Sequence, residues 1–427
     1  MVTNMTETEI LFDLLEKGIS PAHAVSACEK RLTDAGFETI DYGKEWNLKA
    51  GGKYVVNHHE TTLFAFTLPE KWGDKEPAIR IAAAHTDFPC LRIKPSCDIK
   101  TNGYAQVNVE VYGGAILNTW LDRPLGVAGR VAVRGEDVFT PEVIHFQSEK
   151  NLMTIPNLAI HMNREVNKGV ELNRQTELLP ICGLSEDADY FLTFLAKELS
   201  VKKEDILDFE LTVYNKEKPE FVGLNDEFIS ASRLDNLNSC SALVSAIIDS
   251  DRTNGMNLIA LFDHEEIGSR SKQGAGSILL HDMLERILRE AGQEKEACSR
   301  LYNSMILSVD VAHGLHPNYA GKMDLTNKPV LSKGFCIKEA CSQSYATDCG
   351  AVAVIQQICE KNQIPYQKFV NRSDIAGGGT LGSIASALLP VKTVDIGIPL
   401  LAMHSARELM AASDQQALKD LVKAYFC

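Results

Sequence analysis

The sequence has no Cys-x-x-Cys pair and no apolar run near the ~18 residues that a membrane-spanning helix needs. It has no basic excess: 57 acidic against 43 basic side chains leave a formal net charge of −14. A protein that grips nucleic acid normally shows a basic face, so that class is set aside, though a local basic pocket is not. The eleven cysteines are odd in number and irregularly spaced. In a long chain that pattern fits scattered reduced thiols and not a disulfide framework. Their densest group, Cys336, Cys341, Cys349 and Cys359, reads as small hydrophobes sooner than as a zinc cluster. The first nine residues are acidic and lack the basic start of a signal peptide, so the expected location is the cytoplasm. Internal repeats and low-complexity linkers are also missing.

What is present is an ordinary globular composition, 45% hydrophobic and 23% charged over 427 residues. That length is too great for one small core, and two domains are the default. Residues 6–37 read as two helices, the first ended by Gly18 and the second started by Pro21. Gly51-Gly52 then separates two alternating runs, the second over 62–67, which together look like a hairpin. From about Ile93 to Val222 the texture changes to short valine-rich strands broken by glycines. A helix near 189–199 and a strand near 209–214 close that stretch.

After Asp235 the alternation is regular. Helices are predicted over 238–248, 277–291, 347–360 and 381–388, with a last one from about Ser405. Strands are predicted over 256–262, 304–309, 366–370 and 391–396, and a long loop over 314–338. Strands alternating with helices imply an α/β domain with a mostly parallel central sheet flanked by helices. The expected organisation is a catalytic domain in two parts, 1–92 and 231–427, interrupted by a mostly β insert over 93–230.

Four apolar runs end in ionisable residues. The run over 78–84 ends in His85-Thr86-Asp87. The run over 256–262 ends in Asp263-His264-Glu265-Glu266, and that over 304–309 ends in Asp310. The run over 391–398 leads to His404. Asp235 opens a helix-like segment between the first two. In open α/β sheets ligands bind beyond the carboxyl ends of the strands. Adjacent carboxylates repel unless a cation or proton compensates. A solvated turn is the plainer explanation of 263–266, but it does not account for the other three runs.

A two-metal hydrolytic site needs a bridging carboxylate, further ligands on each ion and a base near the attacking water. His85 and His404 offer one imidazole to each ion, Asp235 is placed to bridge, and Glu266 and Asp310 complete one site each. Such a mixed His and carboxylate set suits zinc, and also manganese or cobalt. Asp87, two residues after His85, is placed to accept the second imidazole N–H. Glu265 remains to take the proton from water.

The ordered set of His-x-Asp, Asp, Glu-Glu, Asp and His resembles the co-catalytic zinc aminopeptidases and, within them, the aspartyl aminopeptidase family. Matching stretches run nearly the full chain. They include residues 84–87, 117–123, 155–161, 233–237, 265–269, 310–319 and 401–408. The resemblance implies an aminopeptidase acting on the N-terminal residue of peptides, two metals per chain and a tetrahedral dodecamer. It assigns His85, Asp235, Glu266, Asp310 and His404 as ligands, Glu265 as general base and Asp87 as its support. It implies that the insert carries subunit contacts and that His161 reaches a neighbouring subunit's active site. It sets His313, His316, Lys338 and Tyr345 near the substrate, where a lysine pairs with an acidic side chain. The loop Gly377-Gly378-Gly379 offers unobstructed backbone there, Gly378 at its middle. The expected preference is for an N-terminal Asp or Glu. Two departures, His264 before the glutamate pair and the loop over 375–380, keep a neutral or broad preference as the alternative.

The rival from another class is a dehydrogenase, since Gly377-x-Gly379-x-x-Gly382 matches the dinucleotide fingerprint. It lies late in the chain, with Asp395 closer than the usual acid, so the run is read as a loop beside the substrate. A catalytically dead scaffold is the third reading. It would lack a ligand or the base, and none is missing.

Overall fold

The computed structural model describes residues 5–73, 77–185, 187 and 189–427. Residues 1–4 of the acidic N-terminal stretch lie outside the described residues. Contacts divide the chain into two units. One gathers the described residues of Met1–Asp87, Pro219–Met403 and Glu408–Cys427. The other gathers those of Phe88–Lys218 and His404–Arg407.

Nine strands build the main sheet of the first unit. In chain order they are β1 (Glu38–Thr39), β2 (Lys53–His58), β3 (Thr62–Thr67), β4 (Ile79–His85), β5 (Met256–Phe262), β6 (Met305–Val309), β7 (Phe335–Glu339), β8 (Tyr366–Val370) and β9 (Lys392–Gly397). Across the sheet the order is β1-β2-β3-β5-β4-β6-β9-β7-β8. The middle four, β5, β4, β6 and β9, are mutually parallel. Antiparallel pairing enters at β2–β3, β3–β5 and β7–β9. The sheet is therefore mixed around a parallel centre, an α/β architecture.

The central strands are apolar along nearly their whole length because both faces are covered. Ile79, Ile81 and Ala83 of β4 join Leu258, Ala260 and Phe262 of β5 in one buried cluster with the helix Leu279–Glu290. Side chains alternate along a strand, so their neighbours face the other side, where helix α1 (Leu234–Ile248) packs on β4 and on the last helix, Ala412–Phe426. Residues 6–37 form the two expected helices, Glu7–Lys17 and Pro21–Asp34. The first starts on a reciprocal Thr6–Glu9 capping box.

Three local expectations fail. The hairpin of β2 and β3 reverses at residues 59–61, not at Gly51-Gly52. His59 and Glu60 take left-handed φ values of 51° and 65°, and Asn57 Oδ1 accepts the Glu60 N–H at 2.9 Å. The expected loop over 314–338 contains most of β7. The last helix starts at Ala412, because Glu408–Ala411 is a strand that pairs with Phe228–Ala231.

The second unit is dominated by a six-stranded antiparallel sheet. Its strands, in spatial order, are Thr140–Gln147, Leu125–Asp137, Ile206–Asn215, Cys90–Thr101, Tyr104–Tyr112 and Ile181–Leu184. Gly129 sits in its middle with φ 150°, and a Cβ there would strike the Glu210 carbonyl. The helix Tyr190–Leu199 turns Phe191 and Leu195 inward. Among the described residues no helix is long and apolar enough to cross a membrane.

Candidate active site

Three adjacent parallel strands bring their carboxyl ends to one edge of the main sheet. β4 ends in His85, whose register partner on β5 is Phe262, so the turn after Phe262 begins beside His85. β6, on the other flank of β4, ends one residue before Asp310. The fourth contributor is the start of α1. Asp235 and Asn236 have non-helical dihedrals there, the peptide between them is cis, and Asn236 Nδ2 donates to the Val309 carbonyl at 2.9 Å. Glu408 accepts the Asp235 backbone N–H at 3.0 Å.

His85, Asp235 and Glu266 each present a ligating atom within 4.8 Å of the others, and among the described residues this is the one such group of His, Cys, Asp or Glu. His85 Nε2 lies 3.3 Å from Asp235 Oδ1 and 3.6 Å from Asp310 Oδ1. Its Nδ1 lies 3.0 Å from the Asp87 carbonyl oxygen. A carbonyl only accepts, so Nδ1 carries the proton and Nε2 is turned to the carboxylates. Burial by itself pulls this imidazole down, but Asp235, Asp310 and Asp87 outweigh it and hold it well above its ordinary value.

Asp87 differs in detail from the sequence reading. Its carboxylate stands 3.4 Å from His85 Nδ1, farther than its own backbone carbonyl. Its two oxygens accept the backbone N–H groups of Glu265 and Glu266 at 3.0 and 3.1 Å. One fully buried carboxylate thus ties the His85 strand end to the turn that carries the glutamate pair. That turn is a short 3-10 helix, Glu265–Ile267, entered through His264 at φ 63° and left through Gly268 at φ 96°. His264 points to Ser271, with Nδ1 and Oγ 2.8 Å apart.

Burial pushes the Glu265 carboxyl up to about 8. Nearby Asp310, Asp87 and Asp235 add to the shift, and His85 opposes it. Asp263 rises to about 6 through burial and repulsion from Asp87. The carboxylates of Asp235, Glu266 and Asp310 beside the His85 imidazole form a donor set that fits a hard or borderline divalent cation. The thiols do not compete. Cys240 Sγ donates to the His85 carbonyl at 3.0 Å, and burial holds it well above the usual thiol range.

Beyond Asp310, His313 stacks edge-on to Phe369 at 5.9 Å, and Tyr345 meets the same ring at 6.2 Å. Ala312, Cys336, Tyr345 and Phe369 form a buried cluster with Met323 and Ala340 against it. Lys338, on β7, is 1% exposed. Its Nζ donates to the Val311 carbonyl at 2.9 Å, lies 3.8 Å from Asp310 Oδ2 and sits 4.9 Å over the Tyr345 ring. His316 caps the turn Pro317–Lys322 by accepting the Asn318 N–H and packs on Tyr319. Gly378 is exposed, with open space where a Cβ would stand. His161 is exposed in the second unit. His404 packs with that unit too, its Nδ1 3.2 Å from the Gly114 carbonyl.

The glycine fingerprint has a local explanation. A Cβ on Gly377 would strike Asn371, and one on Gly382 would strike Ser308 and Asp395. The helix that follows, α2 (Leu381–Leu388), starts against the Asp395 carboxylate, which accepts the Thr380 hydroxyl at 2.7 Å. A carboxylate beside the first turn of α2 would repel a dinucleotide phosphate there.

Residues 14–426 match the family model described as aminopeptidase I zinc metalloprotease (M18). The chain belongs to the M18 peptidase family. A probable M18 family aminopeptidase 2 of Clostridium novyi is 43% identical over 423 residues, covering 97% of each chain. Among solved structures, that of the Ape4 and Nbr1 complex superposes with a TM-score of 0.92 at 33% identity, over 97% of this chain and 84% of that one. The S. cerevisiae mApe1 dodecamer superposes with a TM-score of 0.82 at 24% identity, over 98% and 96%, a likeness of fold. This M18 protein is therefore a zinc aminopeptidase, a hydrolase, as the ordered motif set implied, and the dehydrogenase alternative falls.

Proposed function

We propose that this M18 aminopeptidase removes N-terminal residues by a two-metal mechanism with Glu265 as general base. The observation that carries it is the convergence of His85 Nε2, Asp235, Glu266 and Asp310 at the ends of β4, β5 and β6, with Glu265 next in chain. His85, Asp235, Glu266, Asp310 and His404 would hold two divalent ions, zinc first and manganese or cobalt as substitutes. Zinc, when bound, polarises a carbonyl and makes water more acidic. Glu265 takes the water's proton and returns it to the departing amine. Asp87 fixes the Glu265–Glu266 backbone and backs the His85 carbonyl contact. Metal analysis of unstripped protein should find two ions per chain. One strong site that persists after zinc is added back would sink the pair.

The proposed substrates are peptides with an acidic first residue, and the proposed setting is the cytoplasm. Lys338 is a buried cation 3.8 Å from Asp310 Oδ2, and His313, His316, Tyr345 and Gly378 are proposed to line the substrate with it. The second reading, a neutral or broad preference, is favoured by one observation. Lys338 Nζ already serves Val311 and Asp310 and is covered by Tyr345. Lys338→Met divides the two. If Lys338 reads the side chain, kcat/KM should fall at least about tenfold more for aspartyl than for leucyl reporters, the scale of a lost charge-assisted contact. Equal losses would leave the neutral reading.

The proposed assembly is a homo-oligomer, a dodecamer by analogy with the yeast structure, with the insert over 93–230 as its contact domain and His161 acting across a subunit boundary. Sedimentation should show one large species. A fully active monodisperse monomer would defeat both the assembly and the role of His161.

A further inference from the structure

Asp395 lies on β9, in the middle of the sheet, with no exposed surface. No step of the hydrolysis uses it. A carboxylate taken out of water is costly unless its oxygens are hydrogen-bonded, and these partners are specific. Oδ1 accepts the Thr380 hydroxyl at 2.7 Å. Oδ2 accepts the Ala346 backbone N–H at 2.6 Å. Its own backbone N–H donates to Thr347 Oγ1 at 3.0 Å. Across the antiparallel β7–β9 pairing, its register partner is Lys338.

These contacts fall on two loops at once. Ala346 follows Tyr345, which packs on Phe369 beneath His313. Thr380 follows Gly377-Gly378-Gly379 and starts α2. The loops are also stitched directly, the Thr380 N–H donating to the Ser344 carbonyl at 3.2 Å. Gly382 lets the first turn of α2 press onto the same carboxylate, since a Cβ there would stand 2.8 Å from Asp395 Oδ1.

We propose that Asp395 is a positioning residue for substrate selection, holding the Tyr345 wall and the Gly378 loop in one register through Ala346 and Thr380. The inference rests on the aminopeptidase reading above and on the placing of Tyr345 and Gly378 beside the substrate. Asp395 touches neither metal ligands nor reacting atoms. Its loss therefore loosens how the first side chain is held and leaves the water-activating groups in place.

Thr380→Val removes one hydroxyl at nearly constant shape, and Asp395→Asn keeps a side chain that can accept from Ala346 and donate to Thr380. Both are compared with wild type on aspartyl and leucyl reporters, with zinc content measured on each preparation. Thr380→Val should raise KM about three- to tenfold, the span of one net hydrogen bond, and change the aspartyl-to-leucyl ratio, with zinc content as in wild type. Asp395→Asn should lie closer to wild type, whereas Asp395→Ala should exceed Thr380→Val if it folds. Unchanged KM and selectivity in Thr380→Val, in an active enzyme, would overturn the inference alone. Loss of kcat together with zinc would overturn it too, by showing a role in the metal site. A wild type that cleaves no aminoacyl reporter would overturn the function and this inference together.

Discussion

Glu265→Gln is expected to keep its zinc and lose about 10²–10⁴-fold in turnover, the usual range for a general base. The amide is nearly the same shape, so the Asp87 contact, made through the Glu265 backbone N–H and not its side chain, survives. Glu266→Gln is the paired control. Its carboxylate belongs to the group with His85 and Asp235, so this change should lower zinc content first. Elemental analysis beside steady-state kinetics separates the two. If Glu265→Gln loses zinc and Glu266→Gln keeps it, the two roles are exchanged.

The second large effect belongs to Asp87. Its oxygens accept the N–H groups of both Glu265 and Glu266, and one of them stands 3.4 Å from the His85 ring. Asp87→Asn turns an NH2 toward one of those donors, so one buried N–H loses its acceptor and the glutamate turn shifts. Outer-shell changes of this kind typically cost about 10- to 100-fold in metal affinity or activity. Here affinity and turnover should fall together, because one residue steadies both a ligand strand and the base. Zinc affinity from chelator competition, measured beside kcat, is the check. A variant with wild-type zinc affinity and a reduced kcat would show that Asp87 serves the base alone.

Much of this site was legible because the chemistry sits at the ends of mostly apolar runs. Residues 256–262 and 366–370 were read to the residue, as was helix 381–388, since the strands lie between Gly255 and Asp263 and between Pro365 and Asn371, and the helix between Thr380 and Leu389-Pro390. β7 was missed for the opposite reason. Its five residues follow Gly334 and include Lys338, a charge that breaks the apolar pattern. The surrounding Asp310, Val311 carbonyl, Tyr345 ring and Asp395 make that lysine tolerable in a buried strand. The helix expected from Ser405 was displaced because Glu408 is drawn into a strand and accepts the Asp235 N–H, a partner far away in sequence. His-x-Asp spacing suggested an imidazole–carboxylate bond. It could not reveal that the Asp87 carboxylate spends itself on the backbone of residues 265 and 266.

The way the chain is threaded has a consequence for its synthesis. β4 emerges early, yet its neighbours in the sheet are β5 and β6, which follow the Phe88–Lys218 stretch of the second unit. Until residues 256–262 leave the ribosome, this mostly apolar strand has neither of its flanking partners. An unpaired strand of that kind invites aggregation. The strands over 90–215, by contrast, pair only with one another in their six-stranded sheet, and all of them leave the ribosome before β5. The inserted unit is thus expected to fold before its host, and nascent chains arrested shortly before residue 256 are the ones that should most need a chaperone.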